Sequence, residues 1–476
     1  MKFIPYIILT MMSFNAVAKE PFYKLNRKNQ QSVIFTRLSD GKVIYEKNSS
    51  STLSPASVTK LFTSAALLSK FSPAHTFKTR ILYTGKKDRG VINGDLIVVG
   101  SGDPLLINEK LWQMAADFRH MGLKKVTGNI IIDNSLFDGS TWDKSRSSSK
   151  FSSNNAYDAP VSAFGVNFNT FPIAFAPGFE KNDPAFMSID PYPIKGIELK
   201  NGVSTGNYNQ IKVKRASNKG SVKVISSGTI SKSKDLKKYY RSVADPVITG
   251  GEQIRSFLKQ EGIEVLGKVR SGSQAKSAKH LYTIESYELS RMISGLNKYS
   301  NNYIADVLIK RLGASFYKGS KHHKGSLDAG MAVLRDFLRN EAKIPSGSAF
   351  FNGSGLDTRN RVSAEQVVSL LQYMYKRMDI FPEFLASLPA AGWDGTLEDR
   401  FNSSSFKNLV GYVRAKTGTL SRPVSVSALA GYMGHPKHGM IAFAILDNGK
   451  PKAGQPSILD LRARQETALN IIMKRY

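Results

Sequence analysis

The sequence contains no cysteine among its 476 residues. This absence excludes disulfide bonds, thiol catalysis and cysteine-bound metal, so burial of an apolar core must supply the stability. Hydrophobic residues make up 41% of the chain and charged residues 22%, which is ordinary for a globular protein. The length suffices for about two to four domains of the usual size.

Long apolar runs are also missing, with one exception at the N-terminus, "MKFIPYIILTMMSFNAVAKE". Lys2 precedes an apolar run that ends at about Phe14, and Ala16 and Ala18 form an A-x-A pattern. This arrangement is typical of a secretory signal peptide over residues 1–18, cleaved at its end. The alternative is a membrane anchor, but the run is shorter than the ~20 residues that span a bilayer. The sequence therefore predicts an exported protein of the periplasm.

Acidic residues are scarce, with 37 Asp and Glu against 67 Lys and Arg, which gives a formal net charge of +30. The excess is concentrated between Lys212 and Arg241, where ten basic residues accompany one acid, Asp235. A basic surface favours polyanions such as nucleic acid, anionic lipid or acidic wall polymers, and it also aids solubility. Because export is predicted, we expect no nucleic-acid partner. Electrostatic association with the cell wall or the membrane remains open.

The pattern of strands and helices predicts one α/β (α+β) domain interrupted by an insertion. "QSVIFTRLSDGKVIYEKN" predicts two strands around an Asp40-Gly41 turn, and short strands with tight turns begin at about Phe77. Long helical patterns resume with "SYELSRMISGLNKYSNNYIADVLIKRLGASF". "VGYVRAKTGTL", "VSALAGYMG" and "GMIAFAILDNG" predict consecutive antiparallel strands, and a helix over 458–476 ends the chain. The insertion is mostly β and about 200 residues long.

The segment "LSPASVTKLFTSAALLSKF" contains a candidate nucleophile and base, Ser57 and Lys60. The Ser54-Pro55 pair is a plausible N-cap and first helical residue, which places Ser57 in the first turn at the border of an apolar stripe. The helix dipole and partial burial then favour the neutral amine of Lys60, which can accept a proton from a hydroxyl. S-x-x-K recurs elsewhere, for example at Ser147, so this pattern alone favours an ordinary capped core helix over a catalytic one.

Two further motifs make the catalytic interpretation stronger. Ser300 and Asn302 form S-x-N inside a helical stretch, and Lys416, Thr417 and Gly418 form K-T-G, which occurs once. The order S-x-x-K, S-x-N, K-T-G is typical of serine acyl transferases such as β-lactamases and penicillin-binding proteins. These residue types supply a nucleophile with an adjacent amine, a relay hydroxyl, an amide for a substrate carbonyl and a cationic strand edge.

The chain resembles class C low-molecular-mass penicillin-binding proteins, the D-alanyl-D-alanine carboxypeptidase and endopeptidase family typified by penicillin-binding protein 4. The resemblance also includes "GDLIVVGSGDPLL", "YDAPVSAFGVNFN" and "NGSGLDTRNRVSA", and it covers nearly the whole mature chain. It implies a split transpeptidase-like domain with an antiparallel sheet flanked by helices. The implied domains are the catalytic domain (19–85 and 286–476), an inserted domain II (86–165 and 243–285) and a basic domain III (166–242).

The resemblance also implies catalytic roles. Ser57 would attack the carbonyl between two D-alanines and form an acyl-enzyme that water hydrolyses. Lys60 would be its base, and Ser300 and Lys416 would relay the proton to the leaving amine.

The same resemblance implies how the substrate is held. Asn302 would hydrogen-bond the substrate amide, Thr417 and Thr419 would bind its terminal carboxylate, and Gly418 would let the substrate backbone lie close to the strand. The oxyanion hole would be the backbone N–H groups of Ser57 and Thr419. The expected ligands are peptidoglycan peptides and β-lactam antibiotics, and no cofactor or metal is expected.

Three alternatives stay open at this point. A β-lactamase would need a deacylating residue that the sequence does not identify, and a wall-binding protein would carry the motifs without using them. "GVSTG" around Ser204 matches a nucleophile elbow, but no helical pattern follows it. The seven histidines have no zinc-binding spacing, and His322-His323 are expected in an exposed loop. The sequence leaves open the balance of carboxypeptidase and endopeptidase activity and the oligomeric state, a homodimer included.

Overall fold

The computed structural model describes residues 29–142, 154–191, 193–218, 221–319, 324–450 and 454–476. The predicted signal peptide and His322-His323 lie outside these residues. Among the residues that the structure does describe, no helix is both long enough and apolar enough to cross a membrane.

The described residues form strands throughout the chain. They are β1 (Asn29–Arg37), β2 (Val43–Lys47), β3 (Lys78–Tyr83), β4 (Lys86–Asp88), β5 (Val91–Asn93), β6 (Leu96–Val99), β7 (Lys125–Val126), β8 (Ile130–Asp133), β9 (Thr170–Ala176), β10 (Phe186–Ile189), β11 (Ile197–Lys200), β12 (Val203–Gly206), β13 (Gln210–Asn218), β14 (Ser221–Ser231), β15 (Lys237–Ser242), β16 (Glu264–Val265), β17 (Val269–Ser271), β18 (Lys279–Glu285), β19 (Val413–Leu420), β20 (Val426–His435) and β21 (Gly439–Gly449).

Most of the described α-helices lie in the second half of the chain. They are α1 (Thr59–Lys70), α2 (Asn108–His120), α3 (Pro246–Gln260), α4 (Leu289–Lys298), α5 (Asn302–Phe316), α6 (Leu327–Asp336), α7 (Ala364–Tyr375), α8 (Phe381–Ser387) and α9 (Ile458–Arg475).

The first and last parts of the chain meet in one antiparallel sheet of order β19-β20-β21-β1-β2. The hairpin predicted around Asp40 is confirmed: Gly41 has φ +75°, which favours glycine, and the Asp40 carboxylate accepts from the backbone N–H of Lys42 at 3.1 Å. The three strands predicted near the C-terminus are also confirmed.

Both faces of this sheet are covered, because its central strands carry apolar residues on both sides. Ala428, Ala430 and Leu446 pack against a cluster drawn from α1, α4, α5, α6, α7 and α8. Leu429 and Ile445, one position along, face the opposite side, where α9 supplies the covering residues. A sheet between helical layers is the architecture that buries both faces. This packing places α1 against one face of the sheet and brings the start of that helix close to β19.

The remaining described strands form four further sheets. Two of them, β17-β8-β6-β3-β18 and β16-β7-β5-β4, share a core with α2 and α3. The other two are β10-β9-β15 and a sheet in which β11 and β12 run parallel to β14 while β13 pairs antiparallel with it. β3 pairs with β6 and β18, so the strand starting at Lys78 belongs to an inserted sheet. The division into three domains with the boundaries given above stays a prediction.

Candidate active site

Ser57 lies in a short turn of 3₁₀ helix, Ala56–Val58, that leads directly into α1. The prediction that Ser54 caps this helix is wrong. The Asn448 side chain of β21 instead pairs with the backbone of Ser54, donating to its carbonyl at 3.0 Å and accepting from its N–H at 2.8 Å. Ala56 has φ +45°, a left-handed conformation that is strained for a residue with a Cβ. The turn that presents Ser57 is therefore held by the sheet and not by a helix cap.

Lys60, one helical turn beyond Ser57, is completely buried in the first turn of α1. Its Nζ lies 3.1 Å from Ser57 Oγ and donates to Asn302 Oδ1 at 2.8 Å. It also donates to the backbone carbonyl oxygen of Ser354. The apolar stripe in the sequence predicts a helix that is buried on one side, and this is wrong, since every residue from Thr59 to Leu68 is buried. A lysine can occupy such a position because polar acceptors surround its amine.

The S-x-N motif lies at a break between two helices and not inside one, which corrects the sequence prediction. α4 ends at Lys298, Ser300 has φ +55°, and the Asn301 side chain caps α5 by accepting from the Ile304 N–H at 3.1 Å. The break turns Asn302, the first residue of α5, toward Lys60.

The amide of Asn302 is held at both ends. Its Oδ1 accepts from Lys60 and its Nδ2 donates to the Tyr157 carbonyl oxygen at 3.4 Å. Ser300 lies at the same turn, immediately before the residue that caps α5.

Lys416 is completely buried on β19 and donates to the Thr417 carbonyl oxygen at 2.9 Å. Burial, and in second place the positive charge of Lys60, lower the pKa of Lys416 well below its usual value. Burial and the neighbouring positive charge therefore both disfavour the charged form of Lys416.

Gly418 is the point of closest approach between β19 and the Ser57 turn. A Cβ at this position would lie 2.4 Å from the Pro55 carbonyl oxygen and 3.2 Å from the Ala56 Cβ. The missing side chain therefore makes room for the protein's own backbone.

The two threonines of β19 are less enclosed. Thr417 Oγ1 donates to the Thr396 hydroxyl at 2.8 Å, and Arg462 of α9 donates to the exposed Thr419 hydroxyl at 3.3 Å. A guanidinium thus lies beside the strand edge where the sequence predicts a carboxylate.

Sequence reasoning missed several of these contacts. The Ser354 carbonyl and the Tyr157 carbonyl act through the backbone, so no side-chain pattern marks them. Gly355 has φ +81°, and a Cβ there would lie 2.0 Å from the Ala56 carbonyl oxygen. The "GSG" run at residues 353–355 is the one sequence signal for the loop that carries the Ser354 carbonyl. Arg462 lies in a helix whose charges give no indication of its neighbour on β19.

Ser204 does not form a nucleophile elbow. It lies within β12, which runs parallel to β14, and no helix follows it directly. The strand-turn-helix geometry of that motif is absent at this position.

Comparison with known proteins gives one family along nearly the whole chain. Residues 17–468 match the D-Ala-D-Ala carboxypeptidase 3 (S13) family. A D-alanyl-D-alanine carboxypeptidase of Actinomadura sp. (strain R39) is 30% identical over 88% of this chain and 77% of its own length. The D-alanyl-D-alanine carboxypeptidase DacB of Haemophilus influenzae is 27% identical over 90% of this chain and 87% of its own length.

The fold has a close counterpart among solved structures. The crystal structure of penicillin binding protein 4 from Haemophilus influenzae superposes with a TM-score of 0.75 at 23% identity, covering 95% of this chain and 96% of that one. The predicted fold, a transpeptidase-like domain with an insertion, is confirmed by this likeness.

Proposed function

The chain belongs to the D-Ala-D-Ala carboxypeptidase 3 (S13) family of peptidases, and from this premise we propose that it is a serine D-Ala-D-Ala carboxypeptidase or D,D-endopeptidase that acts on peptidoglycan peptides through an acyl-enzyme on Ser57. The same nucleophile would be acylated by β-lactam antibiotics, whose strained amide resembles the scissile bond. The family match does not favour the β-lactamase and the wall-binding alternatives.

The observation that carries this proposal is the 3.1 Å separation of Lys60 Nζ and Ser57 Oγ. A neutral amine has two N–H donors and one lone pair. When the donors of a neutral Lys60 amine are directed at the carbonyl oxygens of Asn302 and Ser354, its lone pair is available to the Ser57 hydroxyl. This geometry supports the acceptor role proposed for Lys60 when its amine is neutral.

The proposed reaction proceeds in two steps. Ser57 Oγ forms a bond to the substrate carbonyl carbon while its proton passes to Lys60. The peptide C–N bond then breaks, and a proton relayed through Ser300 and Lys416 reaches the leaving amine. Water hydrolyses the resulting ester and returns the proton to Ser57. The lowered pKa of Lys416 suits a group that gives up and regains a proton during this cycle.

Substrate orientation is assigned to the edge of β19 and to Asn302. The Thr417 and Thr419 hydroxyls would bind the terminal carboxylate, with Arg462 beside Thr419 adding a positive charge. Asn302 would hydrogen-bond the substrate amide through its Nδ2 group. In the structure this group donates to the Tyr157 carbonyl oxygen. The backbone N–H groups of Ser57 and Thr419 would bind the oxyanion.

The substrate proposal is tested by two peptides. We expect the mature protein to release D-alanine from a pentapeptide ending in D-Ala-D-Ala, to cleave a cross-linked dimer, or to do both, as followed by chromatography. The first product defines a carboxypeptidase and the second an endopeptidase. A pentapeptide ending in D-Ala-L-Ala serves as the matched control and should stay intact. Absence of cleavage of both substrates would contradict the proposal and leave the wall-binding alternative.

We also propose export to the periplasm by the N-terminal signal peptide, and a homodimer stays a prediction. A separate proposal is that the basic region associates electrostatically with anionic wall polymer or membrane. Lys212 and Lys214 are exposed on one face of β13, while Val213 and Arg215 between and beside them are buried. Along this face β13 pairs with β14, where Ser227 and Ile225 oppose the two lysines. The positive charge thus lies on an accessible sheet surface.

Changing Lys212 and Lys214 together to glutamate should weaken sedimentation of the protein with purified cell wall by about two- to tenfold, the effect of a few exposed ionic contacts. Raising the salt from 0.1 M to 1 M should weaken sedimentation of the wild-type protein with cell wall by a similar factor, because the Debye length falls from about 10 Å to about 3 Å. The double change of Lys87 and Lys124, exposed lysines elsewhere, to glutamate is the matched control. Equal sedimentation of both variants would contradict a specific role for this sheet.

A further inference from the structure

A second cleft, of about 810 Å³, opens at one edge of the sheet β17-β8-β6-β3-β18. The ends of β6 and β8, the loop after β17, the start of β3 and one side of α5 line it. β6, β8 and β17 are parallel to one another, so their carboxyl ends all meet at this edge. In open α/β sheets, ligands bind in the crevice outside the carboxyl ends of the strands. The volume is also in the range of small-molecule sites.

This cleft is separate from the candidate active site. Arg311, which lines the cleft, lies nine residues after Asn302 on α5, which is about 14 Å at 1.5 Å per residue. His75, also in the lining, follows the far end of α1, the helix whose first turn contains Lys60. The reacting groups therefore lie at the starts of α1 and α5, and the cleft lies farther along both helices.

Positive charge in the cleft exceeds negative charge. Lys78, Arg80 and Arg311 line it, and among the described lining residues Asp133 supplies the one carboxylate. Asp133 is buried and already accepts from two backbone N–H groups, those of Ser135 at 2.9 Å and Gln274 at 2.7 Å. Within the described part of the chain, none of the three cations forms an ion pair with a carboxylate. Arg311 is half-buried, and a cation in such a position usually has a partner, so it points to an anion supplied from outside. Lys78 and Arg80 are exposed at the rim of the cleft, where Arg80 also donates to Gln274 Oε1 at 2.8 Å.

The Arg311 side chain is held in place without a charged partner. Its guanidinium lies over the Phe77 ring at 5.0 Å, and its Nε is buried with no hydrogen-bond partner among the described residues. A Cβ at Gly102 would lie 3.2 Å from the Arg311 Cδ, so the absence of a side chain there leaves room for the arginine stem. A guanidinium fixed in this way loses little conformational entropy on binding and can form two parallel hydrogen bonds to an oxyanion.

His75 adds an uncharged polar group to the cleft. Its Nε2 is buried without a hydrogen-bond partner among the described residues. Burial, and then the charge of Arg311, lower the pKa of His75, which favours the uncharged ring beside the cations.

We propose that this cleft binds a compact oxyanion group, a phosphate or a carboxylate, between Arg311, Arg80 and Lys78, independently of the chemistry at Ser57. Lys78 and Arg80 are two residues apart on β3 and therefore lie on the same face of the strand. The fork of Arg311 supplies the directional contact, and the other two cations supply charge. The ligand is thus the phosphate or carboxylate of a larger anionic molecule, or the free ion.

Calorimetric titration of the mature protein at constant ionic strength, with inorganic phosphate in one series and succinate in the other, tests this proposal. We expect saturable binding of at least one of the two ions. Tighter binding of phosphate assigns a phosphate-bearing ligand, and tighter binding of succinate assigns a carboxylate. Arg311→Gln should weaken the binding about tenfold or more, the effect of losing a charge-assisted hydrogen bond. Arg311→Lys keeps the charge but loses the forked guanidinium, so its affinity for the ion should lie between those of the wild type and of Arg311→Gln.

Arg339→Gln is the matched control, because Arg339 is an exposed arginine outside the cleft lining and should leave binding unchanged. Labelling by a fluorescent penicillin should be equal in all these variants, which shows that they are folded and separates this proposal from that for Ser57. If Arg311→Gln fails to fold, the combined Lys78→Gln and Arg80→Gln variant at the exposed rim replaces it. Absence of saturable binding by both ions, or binding that survives these changes, would overturn the proposal.

Discussion

Replacement of Ser57 with alanine is expected to abolish covalent labelling of the protein by a fluorescent penicillin and to abolish peptide cleavage with it. The acyl bond forms on Ser57 Oγ, so its removal leaves no atom to acylate, whatever the state of Lys60. The loss should reach the detection limit, since removing the nucleophile of such a unit removes nearly all of its rate enhancement. The measurement is gel fluorescence after incubation with the labelled drug.

The same change should leave the protein folded. Ser57 is half-buried, and the loss of one hydroxyl creates no large cavity. The melting temperature should therefore stay close to that of the wild type. Ser204→Ala, a change in a second serine motif that lies within β12, is the matched control and should label normally. Labelling that persists in Ser57→Ala would place the nucleophile elsewhere, and rapid turnover of the drug by the wild type would favour the β-lactamase alternative.

The three motifs could be predicted from the sequence because their chemistry requires particular side chains at short spacings. Ser57 and Lys60 are one turn apart, so any helix that starts near them brings them together. The hairpin around Asp40 and the three C-terminal strands could also be predicted, since the turn residues and the alternation of side chains are local signals.

The backbone around Ser57 could not be predicted in the same way. The Ser54-Pro55 pair is typical of a helix start, but Asn448, 394 residues later, takes both backbone groups of Ser54. This contact fixes a turn in which Ala56 has a left-handed conformation. A local pattern has no information about a partner so distant along the chain.

The break at Ser300 illustrates a second limit. The residues from α4 to α5 all tolerate a helix, so periodicity predicts one continuous element. In the structure, a single residue with φ +55° redirects the chain so that Asn302 reaches Lys60. Strained residues of this kind concentrate at functional sites, where tertiary contacts outweigh local preference.

Replacement of Lys416 with methionine is expected to lower kcat/KM for peptide cleavage by about 10²- to 10⁴-fold, the range for loss of a general acid or base. The same change should stabilise the protein. Lys416 is completely buried and its described side-chain contact is the carbonyl of the next residue, so methionine of similar volume removes a buried amine and leaves few unsatisfied groups. Exchanges of buried charged groups for apolar ones are often neutral or stabilising by about 1–4 kcal/mol.

The pH dependence of stability gives this prediction a distinctive signature. The folded-state pKa of Lys416 lies well below the ordinary value of 10.5. Between these two values the unfolded chain binds the proton more strongly than the folded protein does, so the free energy of unfolding of the wild type rises with pH across this window. Lys416→Met lacks this contribution. The stability gained by the variant should therefore be largest at pH values below the folded-state pKa of Lys416. It should vanish as the pH approaches the unfolded-state pKa.

Denaturant unfolding of both proteins from pH 6 upward, with peptide cleavage measured on the same samples, checks the two parts together. Lys437→Met, at the exposed turn between β20 and β21, is the matched control and should change neither activity nor the slope of stability with pH. A variant that is inactive and less stable at every pH would show that Lys416 acts through structure. A variant that is more stable and still fully active would remove Lys416 from the proposed proton relay. Loss of activity with gained stability is expected, because the site keeps a buried amine that folding disfavours and the reaction requires.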